Sequence, residues 1–172
     1  MNQGQICMST ANLIVHRNVV PQLEGALAKI MQENQALLHA QARVNAPMTP
    51  DVKDARLRAL FTTSASERVK ELYEDAMRSG ANVFAGTPNF NTELGLVQPI
   101  FLRGTRDMRL FAEEAFAPVI GLYPYDTDDE AVQLANQPGA GLSASVFSKN
   151  ETRAWSIARG IESGAVHING MT

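Results

Sequence analysis

The sequence predicts an α/β fold: a largely parallel, twisted sheet flanked by helices. Two observations carry that reading. Short apolar runs of strand length alternate along most of the chain with stretches of ten or more residues at helical spacing. Parallel strands need crossover connections of about that length, and helices supplied by the crossovers cover the sheet faces. The second observation is size: 172 residues, 45% hydrophobic and 19% charged, suit one domain with a substantial core.

The elements follow in order. Asn12-Leu13-Ile14-Val15-His16 reads as a strand, and residues 20–42 place Val20, Leu23, Leu27, Ile30, Met31 and Leu38 on one helix face. Pro47 and Pro50 break 45–65, where Leu57, Leu60 and Phe61 form a short apolar patch. Ser66 opens a second helix whose apolar face is Val69, Leu72, Tyr73, Ala76 and Met77, with Gly80 as its stop. Ala81–Ala85 is a strand and 87–95 a polar loop. Val97–Leu102 is a strand that Pro99 marks as an edge or irregular one. Val119–Tyr125 is a further strand. Asp126-Thr127-Asp128-Asp129 supplies a cap and first-turn acids for a helix ending near Asn136. Ser143–Phe147 (strand), 151–162 (helix) and Ala165–Ile168 (strand) complete the pattern. In such sheets ligands gather at the carboxyl ends of strands.

The net charge of −3 without a Lys/Arg cluster argues against nucleic acid or an anionic membrane surface as the main partner. No apolar run approaches the roughly 20 residues needed to span a bilayer, and no secretory pattern opens the chain. One unpaired cysteine fits a reducing, cytoplasmic setting. His16, His39 and His167 show no metal-ligand spacing, so no metal site is expected.

Cys7 is the only cysteine, so its chemistry is thiol chemistry or none. Gly4 lets the preceding backbone turn or approach a bound group closely, and Gln5 brings an amide near the sulfur. A thiol on such a loop can be exposed and activated. The competing reading is a small buried hydrophobe. Glu113-Glu114-Ala115-Phe116-Ala117-Pro118-Val119 is the second candidate: a carboxylate that can accept from ligand hydroxyls, beside a flat ring, on a loop whose exit Pro118 restricts. Its alternative is a solvated acid pair next to a core phenylalanine. Gly139 and Gly141 precede the strand at 143 without a Walker or Gly-x-Gly-x-x-Gly pattern and read as a tight turn.

Taken together, these segments resemble the aldehyde dehydrogenase superfamily. Asn2-Gln3-Gly4-Gln5-Ile6-Cys7 resembles its catalytic-cysteine signature, Phe-x-Asn-x-Gly-Gln-x-Cys, and Glu113–Val119 its Glu-Glu-x-Phe-Gly-Pro-Val. Gly141–Phe147 and Gly164–Gly170 resemble its Gly-Leu-Ser-Ala-x-Val-Phe and Gly-x-x-x-Ile-Asn segments. The opening Gln-Ile-Cys-Met and closing His-Ile-Asn-Gly are most similar to the salicylaldehyde, vanillin and benzaldehyde branch. The resemblance implies the C-terminal, thiol-bearing catalytic domain of an NAD- or NADP-dependent enzyme that oxidises a small, aromatic aldehyde. Cys7 is then the nucleophile, Glu114 the group that holds the nicotinamide ribose, and Phe116 the aromatic beside the nicotinamide. Ile6, Met8 and Asn169 shape the aldehyde pocket. Ala117 departs from the usual glycine, and Ala140 stands where tyrosine is common.

The resemblance also implies that residues 1–172 are one domain truncated at both ends. The dinucleotide-binding domain, the general-base glutamate, the oxyanion-hole side chain and an oligomerisation strand would lie outside it. The isolated chain is then expected to lack dehydrogenase activity, while the parent enzyme forms a homo-oligomer. Two other readings stand beside this one: a thiol-dependent esterase, and a non-catalytic interaction domain using the helices at 20–42 and 66–79.

Overall fold

In the computed structural model, which describes residues 2–34, 58–139 and 141–171, four strands form the central sheet in the order β1 (Asn12–His16), β6 (Val119–Tyr125), β5 (Ile100–Arg103), β2 (Asn82–Gly86). β1–β6 and β6–β5 are parallel, and only β2 runs antiparallel, against β5. The predicted α/β sheet, largely parallel and flanked by helices, is therefore present. A second parallel pair, β7 (Ser143–Val146) and β8 (Ala165–Ile168), lies apart from it.

Alternation along the strands decides which helix covers which face. Leu13, Val15, Leu122 and Phe84 meet α1 (Val20–Glu33) through Val20 and Leu23. On the opposite face Ile100, Leu102, Val119 and Val83 pack against Val69, Leu72 and Ala76 of α2 (Thr63–Arg78). Ile14 and Tyr123, also on that face, meet Phe111 of α3 (Arg109–Ala112) and Leu134 of α4 (Asp128–Asn136). Val69, Leu72, Ile100 and Leu122 are wholly excluded from solvent, each burial contributing about 1.5–3 kcal/mol. α5 (Glu151–Gly160) covers β7–β8 with Ala154, Ile157 and Ala158 against Val146, Val166 and Ile168. Arg153 of α5 binds Asp128 at the start of α4, Nε to Oδ2 at 2.9 Å, tying the small layer to the large one.

Several boundaries differ from the sequence reading. α2 begins at Thr63, not Ser66: the Thr62 hydroxyl accepts from the Ala65 N–H (3.1 Å), so Thr62 is the cap. Ser66 is buried inside the helix, its hydroxyl donating to the Thr63 carbonyl at 2.6 Å. The stretch at 87–97 holds a short hairpin, β3 (Phe90–Asn91) against β4 (Leu96–Val97). Of the two readings of Pro99, edge or irregular, the second holds: Pro99 interrupts the expected 97–102 strand after β4, and β5 starts beyond it with a partner on either side. α3 was not anticipated, being only four residues long. Leu38, His39, Pro47, Pro50, Leu57 and Ala140 lie outside the described residues. Among the described residues no helix is long and apolar enough to cross a membrane.

Candidate active site

Cys7 sits at the second position of a four-residue turn, Ile6–Ser9, closed by the Ser9 N–H donating to the Ile6 carbonyl at 2.8 Å. The turn leads within three residues into β1, the strand that anchors it. Cys7 and Met8 occupy the turn's central positions and are exposed, and Ile6 is half-buried. The reading of Cys7 as a small buried hydrophobe is thereby set aside. The Cys7 N–H takes no backbone acceptor among the described residues, so the turn leaves a donor beside the sulfur.

The strand of chain before the thiol is fixed from several sides. Gln3 has a left-handed backbone (φ 54°), and its side-chain amide, oriented to satisfy both atoms, pairs with the Arg58 peptide. The Gln5 carboxamide oxygen accepts from the Phe61 N–H at 2.8 Å, so that oxygen is turned to the 58–61 segment. Leu60 in that segment is buried, whereas Phe61 is almost wholly exposed. Gly4, between Gln3 and Gln5, has φ +77°, and a Cβ there would lie 2.3 Å from the Ala117 carbonyl oxygen. This close backbone approach joins the two sequence motifs, which lie more than 100 residues apart in the chain. A second link runs from Asn12, whose Nδ2 donates to the Phe111 carbonyl at 3.0 Å, just ahead of Glu113.

Residues 113–117 alternate. Ala115 and Ala117 are buried, while Glu114 and Phe116 are exposed on the loop's other side. Phe116 has φ +52°, a backbone region that costs a non-glycine residue about 1–2 kcal/mol. The strained position is thus Phe116 and not Ala117, which explains why alanine fits where the resemblance leads one to expect glycine. The two acids divide their roles. Glu113 is held by Arg109, one turn away, with Nε to Oε1 at 2.7 Å and Nη2 to Oε2 at 3.2 Å. Arg68 of α2 adds a longer contact at 3.4 Å. The hydrogen bond from Arg109, opposed by partial desolvation, holds the Glu113 carboxyl below its ordinary range. Glu114 keeps an exposed carboxylate with no hydrogen-bond donor on it among the described residues, and its carbonyl accepts from Arg68 Nη1 at 2.8 Å.

Asn169 follows β8 directly, at its carboxyl end. Its Oδ1 accepts from the Ser148 N–H (2.9 Å), and its Nδ2 donates to the Ser148 carbonyl (3.0 Å). With φ +51° it fixes the loop after β7. A shallow, open depression of about 450 Å³ lies there, lined by Phe147, Ser148, Lys149 and Asn169. Gly141 makes no simple turn: its carbonyl accepts from Gly164 N–H at 2.8 Å, and a Cβ on it would lie 2.5 Å from the Glu162 carbonyl. The Gly141 and Gly164 segments are therefore two backbones in contact. Arg68, Arg109 and Asn12, which position the site, were not singled out in the sequence. Only Arg109–Glu113 carried a local signal, the i,i+4 spacing of opposite charges.

The class to which the chain belongs is shown by comparison with known proteins. The aldehyde dehydrogenase family model matches residues 1–172, and the chain belongs to that family. It is 37% identical over 172 residues to a vanillin dehydrogenase of Pseudomonas sp. strain HR199, covering 99% of this chain and 33% of that protein. Its fold superposes on a salicylaldehyde dehydrogenase from Pseudomonas putida G7 complexed with salicylaldehyde, with TM-score 0.79 and 28% identity. That match covers 99% of this chain and 33% of the other. An NADP-dependent glyceraldehyde-3-phosphate dehydrogenase from Bacillus halodurans C-125, complexed with NADP, gives TM-score 0.82 at 28% identity over the same shares. The chain thus spans about one third of the length of each.

Proposed function

We propose that this chain is the thiol-bearing segment of an NAD(P)-dependent dehydrogenase that oxidises an aromatic aldehyde to its carboxylate. The observation that carries this reading is the contact of Gly4 with Ala117. It brings the backbone two residues ahead of the exposed Cys7 turn against the loop that bears Glu114 and Phe116. Vanillin and salicylaldehyde dehydrogenases among the relatives support the aromatic substrate class.

In this reading the Cys7 thiolate attacks the aldehyde carbon, and the carbonyl oxygen takes up negative charge within reach of the Cys7 N–H. Ile6 and Met8 flank the sulfur and give the substrate ring apolar surface. Loss of hydride from that carbon leaves an acyl group on the sulfur, and attack of water on it releases the carboxylate and restores the thiol. A nicotinamide dinucleotide, when bound, accepts the hydride that this oxidation releases. The fit for such a group rests on Glu114 and Phe116: an exposed carboxylate suits ribose hydroxyls, and an exposed ring suits a flat heterocycle. Asn169 shapes the substrate end through the Ser148 loop rather than through an uncommitted amide.

The test is aldehyde-dependent reduction of NAD and of NADP by the protein carrying this chain, with vanillin and salicylaldehyde, in wild type and Cys7→Ala. Loss of the reaction in Cys7→Ala is expected, together with loss of the iodoacetamide adduct on the peptide that carries residue 7. Full activity in Cys7→Ala would end the proposal. Hydrolysis of 4-nitrophenyl acetate by the 172-residue chain alone is the companion measurement, because an exposed thiol with an adjacent N–H donor favours it. Equal rates in wild type and Cys7→Ala would rule that activity out.

A further inference from the structure

We propose that Arg68, on α2, is a positioning residue that sets Glu114 and Phe116 in place; this rests on the reading above that these two residues meet the dinucleotide. Arg68 is 46 residues from Glu114 in the chain, yet its guanidinium Nη1 donates to the Glu114 carbonyl at 2.8 Å while Nη2 faces Glu113 Oε2 at 3.4 Å. The fork therefore holds two consecutive residues at once, one by backbone and one by side chain. Its own base is rigid, because the next residue, Val69, and Leu72 are wholly buried against the sheet. Glu113 cannot swing away either, since Arg109 grips both of its oxygens.

Two anchors bracket the loop. Arg68 fixes the Glu114 peptide, and the Gly4 contact fixes Ala117. Between them Phe116 keeps a left-handed φ of 52°, which a non-glycine residue holds only where neighbours dictate it. Releasing the first anchor leaves the Glu114 carbonyl to water and lets the Glu114 and Phe116 side chains sample other directions. Arg68 and Glu113 are both partly solvated, with side chains 45% and 37% exposed. Exposed ion pairs of this kind contribute little to global stability, so the consequence falls on orientation and not on folding.

The experiment compares Arg68→Met, Arg68→Lys and Glu114→Gln with wild type in the dehydrogenase-competent protein. It measures KM for the dinucleotide, kcat, and the rate of Cys7 alkylation by iodoacetamide, which needs no cofactor. Arg68→Met is expected to raise the dinucleotide KM about fivefold to tenfold, with kcat and alkylation within about twofold. Arg68→Lys, which restores one charged donor, is expected to fall between them at about twofold to threefold. An unchanged KM in Arg68→Met overturns the proposal, and so does a parallel fall in KM, kcat and alkylation, which marks a merely structural residue. Should Arg68→Met not fold, a wild-type KM in Arg68→Lys alongside a raised KM in Glu114→Gln overturns it equally. If Glu114→Gln leaves both constants unchanged, the reading of Glu114 itself fails, and the proposal with it.

Discussion

Replacing Gly4 by alanine tests the contact on which the site reading depends. The structure gives two separate costs. A Cβ at Gly4 would lie 2.3 Å from the Ala117 oxygen and 2.7 Å from its carbonyl carbon, and real Cβ atoms essentially never come under 3.0 Å. Backbone, not a flexible side chain, must therefore move by about 0.7 Å, and overpacking of that kind costs about 1–3 kcal/mol. The φ of +77° adds about 1–2 kcal/mol for any residue with a Cβ. Together these predict a loss of about 2–5 kcal/mol for Gly4→Ala, against a total of about 5–15 for a domain of ordinary stability.

Two other glycines separate the costs. Gly80 has φ +87° with nothing within 4 Å of an added Cβ, so Gly80→Ala carries the backbone cost alone, about 1–2 kcal/mol. Gly139 has neither feature, and Gly139→Ala is expected within about 0.5 kcal/mol of wild type. Urea denaturation of the three variants gives the differences directly. The excess of Gly4→Ala over Gly80→Ala measures the contact. If the loops part instead of straining, the stability loss shrinks but the Gly4 backbone leading into the Cys7 turn comes free of Ala117, and the iodoacetamide rate at Cys7 changes severalfold. A variant Gly4→Ala no less stable than Gly80→Ala, with the wild-type alkylation rate, would refute the reasoning.

Three further outcomes follow from the same contacts. Thr62→Ala is expected to cost about 1 kcal/mol in urea denaturation through loss of the cap on the Ala65 N–H. Gly141→Ala brings a Cβ to 2.5 Å from the Glu162 carbonyl, and loosening of the β7–β8 pair should appear as faster hydrogen exchange at the Gly164 and Ala165 amides; unchanged exchange there would count against the contact. Glu113 titrates lower folded than unfolded, chiefly because Arg109 hydrogen-bonds its carboxylate, so its stabilising share is complete above the ordinary glutamate pKa of about 4.3 and is lost as pH falls through the lower folded value. Stability of Glu113→Gln followed from pH 7 to pH 3 should therefore fall less steeply than wild type, and parallel curves would show that the pair contributes nothing.

Much of the fold was legible because its signals are local. Val119–Tyr125 and Ala165–Ile168 are apolar runs bounded by breakers, and the strands occupy those residues and no others. Gly80 stops α2 because the left-handed residue after a helix is a local need. The misjudged places are those where residue type leaves more than one partner open. Pro99 suggested an edge or an irregular strand from its missing N–H alone, and the edge is the part that fails. The proline falls between two strands, and the ladder of β5 begins at Ile100, whose N–H donates to the Pro118 carbonyl. Ser66 looked like a cap because serine often is one, but its hydroxyl is spent inside the helix, and Thr62, three residues before Ala65, takes the role.

The site divides along the same line. Cys7 and Glu114 were visible as residue types in a pattern, since a thiol and a carboxylate come only from particular residue types wherever they sit. What holds them was not visible. Arg68 and Asn12 act on backbone carbonyls, which every residue possesses, so nothing in the sequence around Glu114 or Phe111 marks them as partners. Gly4 lies between the two cases. Its glycine could be noticed, but whether it serves a turn or a close approach depends on Ala117 arriving from the far end of the chain. The same holds for Gly141 and Glu162. A sequence shows the groups that react more readily than the groups that aim them, because reactivity belongs to a side chain and aim to a contact. Variants at Gly4 and Arg68 therefore probe the part of this protein that its motifs leave unstated.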